Sequence, residues 1–159
     1  MGRQLCKEDE TILKVIKDKM TVENFTDFYL NSRPLDLLEA ELMHDKKFGD
    51  LPIEDFTDAW VLRDEDKVYA IGKIEDHVVW MMCTKAVEEN PVKFLRFIRR
   101  YYRDTIREQK MLWNYALKDN ELHINWLKWL GATFHDEIIV KGRTFVRFIL
   151  RNRNRKEDR

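Results

Sequence analysis

Residues 120–134 decide the fold of this chain, and they read NELHINWLKWLGATF. Asn120 is a typical helix N-cap, because its side chain can accept backbone amide hydrogens of the first turn, and Glu121 favours the positive end of the helix dipole. Gly131 is placed to end the helix, and the next residues alternate as a strand. Apolar residues recur at helical spacing at Ile124, Leu127 and Leu130. The stretch predicts a helix that leads directly into a strand, although a buried amphipathic helix alone would show the same spacing.

The rest of the chain reads as an ordered series of strands and helices. The patterns predict a leading strand near residues 12–16, helices after Thr21 and Pro34, strands at 58–62, 68–74 and 78–83, a long helix from Pro91, and strands at 111–117, 135–140 and 144–150. Three apolar sets each share one helical face: Val22, Phe25 and Phe28; Leu35, Leu38 and Leu42; and Leu95, Ile98, Tyr102 and Ile106. The predicted order is therefore β, α, α, β, β, β, α, β, α, β, β.

Length and composition predict one folded domain. The chain has 159 residues and 12% aromatic residues, which favours a packed core over disorder. No apolar run approaches the roughly 20 residues of a membrane helix. The start, MGRQLCKEDE, lacks the apolar core of a secretory signal. We expect a domain over residues 1–150, followed by a basic flexible tail over 151–159.

The two cysteines and the charge distribution add two expectations. Cys6 and Cys83 are expected to be reduced, as in a cytoplasmic protein, and Cys83 lies in an apolar run typical of core. Residues 1–90 carry 12 basic and 21 acidic side chains, and residues 91–159 carry 17 and 8. These charges either cancel within the domain or form separate acidic and basic surfaces, and the sequence leaves both arrangements open.

Residues 120–134 resemble the closing motif of the GCN5-related N-acetyltransferase (GNAT) fold, in which an asparagine, an apolar residue four positions on and a glycine eleven positions on precede the sixth strand. Asn120, Ile124 and Gly131 occupy these positions. A narrower resemblance, between Trp80 and Ile149, is to the internal virion protein A family of short-tailed bacteriophages, a GNAT-like group with no established catalysis. The residues that carry it are Leu112-Trp113-Asn114-Tyr115, Asn120, His123-Ile124, Leu127-Lys128, Leu130-Gly131-Ala132 and Phe134-His135.

The GNAT resemblance implies an α/β (α+β) fold, with a mixed, mostly antiparallel sheet of six to seven strands and about four flanking helices. In active GNAT enzymes, a glycine-rich turn before the long helix binds the pyrophosphate of acyl-coenzyme A through backbone amides. Here that turn is residues 85–91, KAVEENP, which contains no glycine. Pro91 has no amide hydrogen, and Glu88 and Glu89 place negative charge beside the expected anion. No cofactor is therefore expected.

A second test concerns the tyrosine that many GNAT enzymes use as a general acid, seven residues after the motif asparagine. That position is Leu127, which cannot donate a proton. Tyr101, Tyr102 and Tyr115 are substitutes by residue type, although tyrosines at such spacing are usually core or rim. No catalytic residue is expected. If the chain were an enzyme, acetyl-CoA would have to be held by three other residues, Lys85, Arg96 and Asn120.

Other chemistries have little support in the sequence. His44, His77, His123 and His135 show no metal-ligand spacing, and in the run 135–137 only His135 and Glu137 would share a strand face. No metal site is expected. No serine lies in a nucleophile-elbow pattern, and no phosphate-binding loop is present in the sequence.

The long helix carries a stripe of arginines at three- and four-residue spacing, at Arg96, Arg99, Arg100, Arg103 and Arg107. One interpretation is a solvated face partly neutralised by Asp104 and Glu108. The other is a docking surface for an acidic protein or nucleic acid, extended by Arg151, Arg153 and Arg155. The zero net charge disfavours nonspecific nucleic-acid binding and favours a protein partner.

The phage resemblance implies a non-enzymatic GNAT-like protein that acts in virion assembly, as an internal virion or morphogenesis protein. Its partners would be phage virion proteins or a host protein, and its location the host cytoplasm during infection, with the virion as a second location. The arginine stripe, the tail and the acidic segment 54–66 are candidate contact surfaces. Two alternatives stay open: a divergent acyl-CoA-dependent N-acetyltransferase that modifies a host protein, and an inhibitor that binds a host factor. Oligomeric state is left open.

Overall fold

A computed structural model of the chain describes residues 15–50 and 53–152. The strands are β1 (Ile16–Lys19), β2 (Trp60–Arg63), β3 (Val68–Glu75), β4 (Val78–Cys83), β5 (Met111–Leu117), β6 (Thr133–Val140) and β7 (Arg143–Arg151). The helices are α1 (Val22–Asn31), α2 (Pro34–His44), the one-turn α3 (Ala86–Glu89), α4 (Pro91–Gln109) and α5 (Glu121–Leu130), with 3₁₀ turns at Phe48–Asp50 and Ile53–Phe56. None of these helices combines the length and apolar character needed to cross a membrane.

The element order predicted from the sequence is confirmed, with α3 and the two 3₁₀ turns as additions. Two strand positions were wrong. The strand expected at residues 58–62 begins at Trp60 and ends at Arg63. The leading strand was expected near residues 12–16, but the observed strand begins at Ile16 and pairs with β2 as far as Lys19. Residues 12–14 lie outside the described residues, as do Cys6, Arg153 and Arg155. Arg151 is the last residue of β7 and is exposed.

The strands form one seven-stranded sheet in the order β1-β2-β3-β4-β5-β7-β6, which confirms the predicted mixed, mostly antiparallel sheet. β4 and β5 are parallel neighbours, and their register contains one pair, Val78 with Trp113. Beyond this pair the two strands diverge, so that the sheet opens into a splay in its middle. This splay lies between the two helical layers and positions the candidate site.

The two faces of the sheet carry separate cores. Alternate strand residues point to opposite faces. Val61, Ile71 and Met82 pack with Phe28 of α1 and Phe56 of the second 3₁₀ turn. Their chain neighbours Leu62, Ala70 and Cys83 pack instead with Phe94 and Ile98 of α4 and Trp126 of α5. The fold is therefore a three-layer arrangement, with α1 and α2 on one face of the sheet and α4 and α5 on the other.

Helix ends follow local chemistry. The Thr21 side chain accepts the amide hydrogen of Asn24 at 3.1 Å and caps α1, as predicted. Gly131 ends α5 in the left-handed region, with φ of 91°, and its amide lies against the carbonyls of Leu127 and Lys128. The alternation after Gly131 becomes β6, so the helix-to-strand reading of residues 120–134 is confirmed.

The shared apolar faces of the first two helices coincide only in part with the buried faces, since Phe25 and Phe28 of α1 do pack in the core. In α1, Phe28 is fully buried, whereas Val22 is 71% exposed. In α2, the fully buried residue is Asp36, and the leucine trio at residues 35, 38 and 42 is only half-buried. The sequence pattern missed this because a buried carboxylate requires partners from distant segments, which spacing alone does not reveal.

Candidate functional site

A cavity of about 690 Å³ occupies the splay between β4 and β5. Its wall includes residues from both helical layers, so the cavity passes through the sheet at the point where the strands separate. Aromatic side chains dominate the apolar wall: Phe56, Trp60, Trp80, Tyr101, Tyr102, Tyr115, Trp126 and Phe148. The volume lies within the range of about 300–1,000 Å³ that is usual for small-molecule sites.

The charged groups around this cavity are mostly acidic. The carboxylates are Asp36, Glu39, Glu54, Asp55 and Glu75. Among the described residues that line it, Lys73 is the single lysine or arginine, and its Nζ lies 3.4 Å from Glu75 and 4.0 Å from Asp58. The cavity therefore presents a negative electrostatic environment.

Two carboxylates from α2 reach into the wide end of the splay and bind the backbone of both separated strands. Asp36 accepts the amide hydrogen of Cys83 in β4 at 2.6 Å through Oδ2. Glu39 accepts the amide hydrogen of Leu117 in β5 at 3.2 Å through Oε1. These amides would otherwise have to pair across the splay, because buried backbone donors are almost always hydrogen-bonded. α2 side chains thus replace the missing β4–β5 hydrogen bonds.

Asn120 belongs to the same network, and this corrects its predicted role as a side-chain cap. It is the N-cap of α5 by position, but its side chain makes no cap hydrogen bond. Its Nδ2 donates to Asp36 Oδ1 at 3.0 Å and to Glu39 Oε2 at 3.1 Å, and its Oδ1 accepts from Arg33 at 3.3 Å. Asn120 is fully buried and ties the start of α5 to α2.

His123 completes the network from one turn into α5. Its Nε2 lies 3.1 Å from Asp36 Oδ2 and its Nδ1 lies 3.5 Å from Glu39 Oε2, with 12% of the side chain exposed. Both ring nitrogens face carboxylates, which is the arrangement that suits a doubly protonated imidazolium. Arg33 adds a second cation, donating to Asp36 Oδ1 at 2.5 Å and to Glu88 Oε1 at 2.8 Å.

The protonation states follow from this pairing. Burial opposes charge on His123, but the attraction of the nearby Asp36 carboxylate overcomes that cost and raises the pKa of His123 well above its usual range. Burial likewise opposes charge on Asp36, and the cations His123 and Arg33 reverse the effect, so the pKa of Asp36 falls below its usual value. Burial raises the pKa of the Cys83 thiol, which therefore stays protonated.

Asp36, Cys83 and His123 place three metal-ligand atoms within 4.8 Å of one another. The donor chemistry does not suit a metal ion, however. Both carboxylate oxygens of Asp36 already accept hydrogen bonds, and Arg33 supplies the positive charge that a metal would bring. A thiol with a raised pKa is also a poor ligand, because metals bind the thiolate. The three residues form a structural polar cluster.

At the narrow end of the splay, Asn114 of β5 bridges the two strands. Its Nδ2 donates to the carbonyl of Val79 in β4 at 2.9 Å, and its Oδ1 accepts the amide hydrogen of Tyr115 at 2.7 Å. One side chain therefore satisfies a β4 acceptor and a β5 donor just beyond the Val78–Trp113 pair. Both ends of the splay are thus held by side chains of the protein itself.

The turn between β4 and α4, where the GNAT resemblance would place the pyrophosphate, uses its own amides. The hydrogen bonds run from Thr84 N to Tyr69 O, Lys85 N to Asn31 O, Ala86 N to Thr84 Oγ1, Val87 N to Thr84 O and Glu88 N to Lys85 O, at 2.8–3.3 Å. Five consecutive amide hydrogens are therefore bound within the protein. The turn forms the helix α3 where a phosphate cradle would have to remain open.

Glu88 and Glu89 were expected to place two negative charges beside the anion site at this turn. The structure gives each a cation: Arg33 Nε lies 2.8 Å from Glu88 Oε1, and Lys67 Nζ lies 2.8 Å from Glu89 Oε2. Arg33 and Lys67, the basic groups near the turn, are therefore paired with carboxylates. The obstacle to an anion is thus the internal bonding of the amides more than the charge of the two glutamates.

The tyrosines considered as general acids line the cavity together with Leu127. Tyr115 donates its hydroxyl to Asp136 at 2.8 Å, and this hydrogen bond raises the pKa of Tyr115. Tyr101 packs edge-on to Trp60, with ring centroids 5.7 Å apart. Both contacts are structural, a hydrogen bond to a carboxylate and a ring packing against a ring.

The three residues named for an enzyme that binds acetyl-CoA are not brought together at the cavity. Lys85 and Arg96 are exposed, Asn120 is buried in the polar network, and none of the three lines the cavity. The arginine stripe on α4 is exposed as predicted from its spacing. Within the described residues, its single ring contact is that of Arg99, whose guanidinium lies 4.9 Å from the Trp129 ring centroid.

Sequence reasoning missed the network centred on Asp36, although a signal existed. Arg33, Asp36 and Glu39 recur every three residues, so that they lie close to one face of a helix. Asp36 and Glu39 are embedded in the leucine-rich run PLDLLEAEL, and Arg33 directly precedes it. Charged residues on the face that contacts the core predict buried partners, and His123 and Asn120 are those partners.

Residues 58–139, just over half of the chain, match the family model described as "Bacteriophage T7, probable scaffold protein Gp13". The chain belongs to this gp13 family. The probable scaffold protein gp13 of Escherichia phage T7 is 36% identical over 64 residues, which are 40% of this chain and 44% of that protein. The match thus spans less than half of the relative's length.

Solved structures show the fold. The GNAT domain of S. lividans PAT superposes with a TM-score of 0.60 at 14% identity, covering 86% of this chain and 90% of that chain. An aminoglycoside N(6')acetyltransferase from Legionella pneumophila gives a TM-score of 0.56 at 11% identity, covering 87% and 92%. The GNAT-like fold and the phage resemblance inferred from the sequence are confirmed, and at these identities the structural likeness extends to the fold alone.

Proposed function

We propose that this gp13-family protein acts in phage virion assembly, through contacts with phage virion proteins, and that it does so without acetyl transfer. Membership of the family over residues 58–139 carries the assembly role. The relative's own name describes a scaffold protein, and such a role needs a stable fold with exposed contact surfaces. We further propose that the protein acts in the host cytoplasm during infection.

The internal bonding of the β4–α4 turn supports the absence of acetyl-CoA binding. In the GNAT arrangement the pyrophosphate uses free amides of the turn before the long helix, but the amides of residues 84–88 in that turn already have protein acceptors. The carboxylates of Asp36 and Glu39 also occupy backbone donors in the splay. A polyanionic cofactor would have to displace these groups and enter a cavity with five carboxylates in its wall.

Calorimetric titration with acetyl-CoA at low salt tests the cofactor proposal. We expect neither heat of binding nor a thermal shift up to millimolar ligand. A matched variant, Glu88→Gln with Glu89→Gln, removes the two charges while leaving the turn amides bonded, and it should bind no better. Micromolar binding by either protein would contradict the proposal and support the acetyltransferase alternative.

The assembly role is tested by complementation of a phage that lacks the gene. A triple variant, Tyr101→Phe, Tyr102→Phe and Tyr115→Phe, removes every cavity hydroxyl considered as a general acid and keeps the aromatic rings. We expect this variant to restore particle formation as well as the wild type. Loss of particles with a normally folded triple variant would indicate chemistry at the cavity. Normal particle formation by the gene-deleted phage itself would overturn the assembly role.

A second function is favoured by one observation, the open cavity with three tyrosines in its wall. A divergent acetyltransferase would use this space for the acceptor and the thioester. The triple variant and the titration separate the two functions. An enzyme would lose its function in the triple variant, and it would bind acetyl-CoA in the titration.

A further inference from the structure

The charge of this protein is divided between the two outer layers of the fold. Residues 20–58, which form α1, α2 and the 3₁₀ turns, contain ten acidic and three basic side chains. α4 contains six basic and two acidic side chains. The sequence left open whether these charges cancel within the domain or form separate surfaces. The two sets lie on opposite faces of the sheet, so they form separate surfaces.

The basic surface is the outer face of α4. Arg96, Arg100, Arg103 and Arg107 are exposed, and among the described residues none of them lies within ion-pair distance of a carboxylate. The carboxylates of Asp104 and Glu108, expected to neutralise the stripe, form no such ion pair in this part of the chain either. Unpaired arginines on one helix face form a surface that attracts negative charge.

The acidic surface lies on α1 and the second 3₁₀ turn. Phe25 and Phe56 place these two segments side by side, with ring centroids 5.4 Å apart. Glu23, Glu54 and Asp55 are exposed there. Two large apolar side chains of α1 lie on the same layer, with Val22 71% and Leu30 72% exposed. The surface therefore combines negative charge with apolar area that water solvates poorly.

The two surfaces are too far apart to neutralise each other within one molecule. A helix with its side chains is about 10 Å across, and the sheet lies between α1 and α4, so the outer faces of these two helices are more than about 20 Å apart. This exceeds the Debye length of about 8 Å at physiological ionic strength. Each surface therefore retains its field, and each is complementary to the opposite face of an identical molecule.

We propose that the α4 face of one copy docks on the α1 face of the next, in a head-to-tail, heterologous contact. Such a contact leaves one surface free at each end, so it generates open chains of molecules. A single helix face is smaller than the roughly 800 Å² per partner of a standard interface, so the association is weak and depends on concentration. This inference does not depend on the proposed role in virion assembly.

Sedimentation velocity over a concentration series tests the proposal with the full-length protein. We expect the wild type to associate at low salt and to become monomeric in about 1 M salt, where the Debye length is about 3 Å. The variant Arg96→Glu with Arg103→Glu should remain monomeric at every concentration. The control Lys46→Glu with Lys47→Glu makes the same change in net charge at two exposed lysines after α2, and it should retain association.

A mixing experiment tests whether the α4 face and the α1 face contact each other. The variant Glu54→Lys with Asp55→Lys reverses the acidic surface and should also be monomeric alone. Mixed with the Arg96→Glu, Arg103→Glu variant, it offers complementary surfaces in both directions, and association should return. A wild type that stays monomeric at low salt, or a mixture that does not associate, would overturn the proposal. Binding of nucleic acid by the monomer, lost in the α4 variant, would instead assign the stripe to nucleic acid.

Discussion

Oδ2 of Asp36 in α2 lies 3.1 Å from Nε2 of His123 in α5, although the two helices pack on opposite faces of the sheet. They meet through the splay between β4 and β5, where a sheet with continuous pairing would separate them. The same Asp36 carboxylate accepts the backbone amide of Cys83. In this protein, therefore, the opening in the sheet is a place where the two helical layers are joined by buried charge.

Removal of Asp36 should destabilise the fold strongly. Asp36→Asn leaves Arg33 and His123 without their shared anion, and loss of one partner from a buried pair costs about 3–5 kcal/mol. Urea denaturation of the purified variant measures this free energy of unfolding. Asp45→Asn is the control, because Asp45 pairs with Lys141 at an exposed position and should change stability little. Equal stability of the two variants would refute the structural role of Asp36.

The stability of the protein should decrease as the pH rises above neutral. The pKa of His123 is raised on folding, so its contribution is complete below its unfolded pKa of about 6.5 and is lost as the pH rises through the folded pKa. The pKa of Asp36 is lowered, so its contribution is present above about pH 3.9 and is lost as the pH falls through its folded pKa. Between these limits the pair stabilises the fold.

The variant His123→Gln isolates the upper limit. Compared with the wild type, it should be less stable near pH 6, and the difference should shrink as the pH rises, because the wild type then loses its imidazolium. Asp36, Glu39, Arg33 and Cys83 all face this ring and remain in the variant. Urea midpoints measured from pH 5 to about 10 provide the comparison. A stability difference that does not change with pH would show that folding does not shift the pKa of His123.

The order of elements could be predicted from the sequence because it depends on local signals. Thr21 as a cap, Pro91 at a helix start and Gly131 at a helix end each act on backbone within a few residues. The runs that became β2, β3 and β4 are likewise recognisable from their own residues. These features are local, and a single sequence contains them.

The polar network could not be predicted because its contacts are long-range. Asn120 bonds Asp36 across 84 residues, and Glu39 bonds Leu117 across 78. A side-chain cap was the local expectation for Asn120, but its Oδ1 accepts from Arg33 and its Nδ2 donates to Asp36, since buried charges have more to lose without partners. Because the buried Asp36 carboxylate must keep its partners, α2 buries Asp36 and leaves the leucines at residues 35, 38 and 42 half-buried.

Gly131 offers a direct test of the motif that decides the fold. Its φ of 91° is costly for any residue with a Cβ, so Gly131→Ala should lower stability by about 1–2 kcal/mol. Gly49→Ala is the matched control, since its added Cβ would meet the Tyr29 hydroxyl at an ordinary 3.6 Å. Thermal unfolding of the two variants measures the difference. Equal melting temperatures would show that the end of α5 tolerates another backbone conformation.

Asn114 should control the opening of the splay. Asn114→Ala removes the donor to the Val79 carbonyl and the acceptor for the Tyr115 amide, so neither backbone group keeps its partner. We expect the Tyr115 amide to exchange with deuterium at least tenfold faster, because a local opening no longer has to break that hydrogen bond. Asn31→Ala removes an exposed side-chain bond to the Asp27 carbonyl and should leave this exchange rate unchanged. If Tyr115 stays equally protected in both variants, β4 and β5 are held together by the Val78–Trp113 pair and by α2 alone, and the narrow end of the splay does not depend on Asn114.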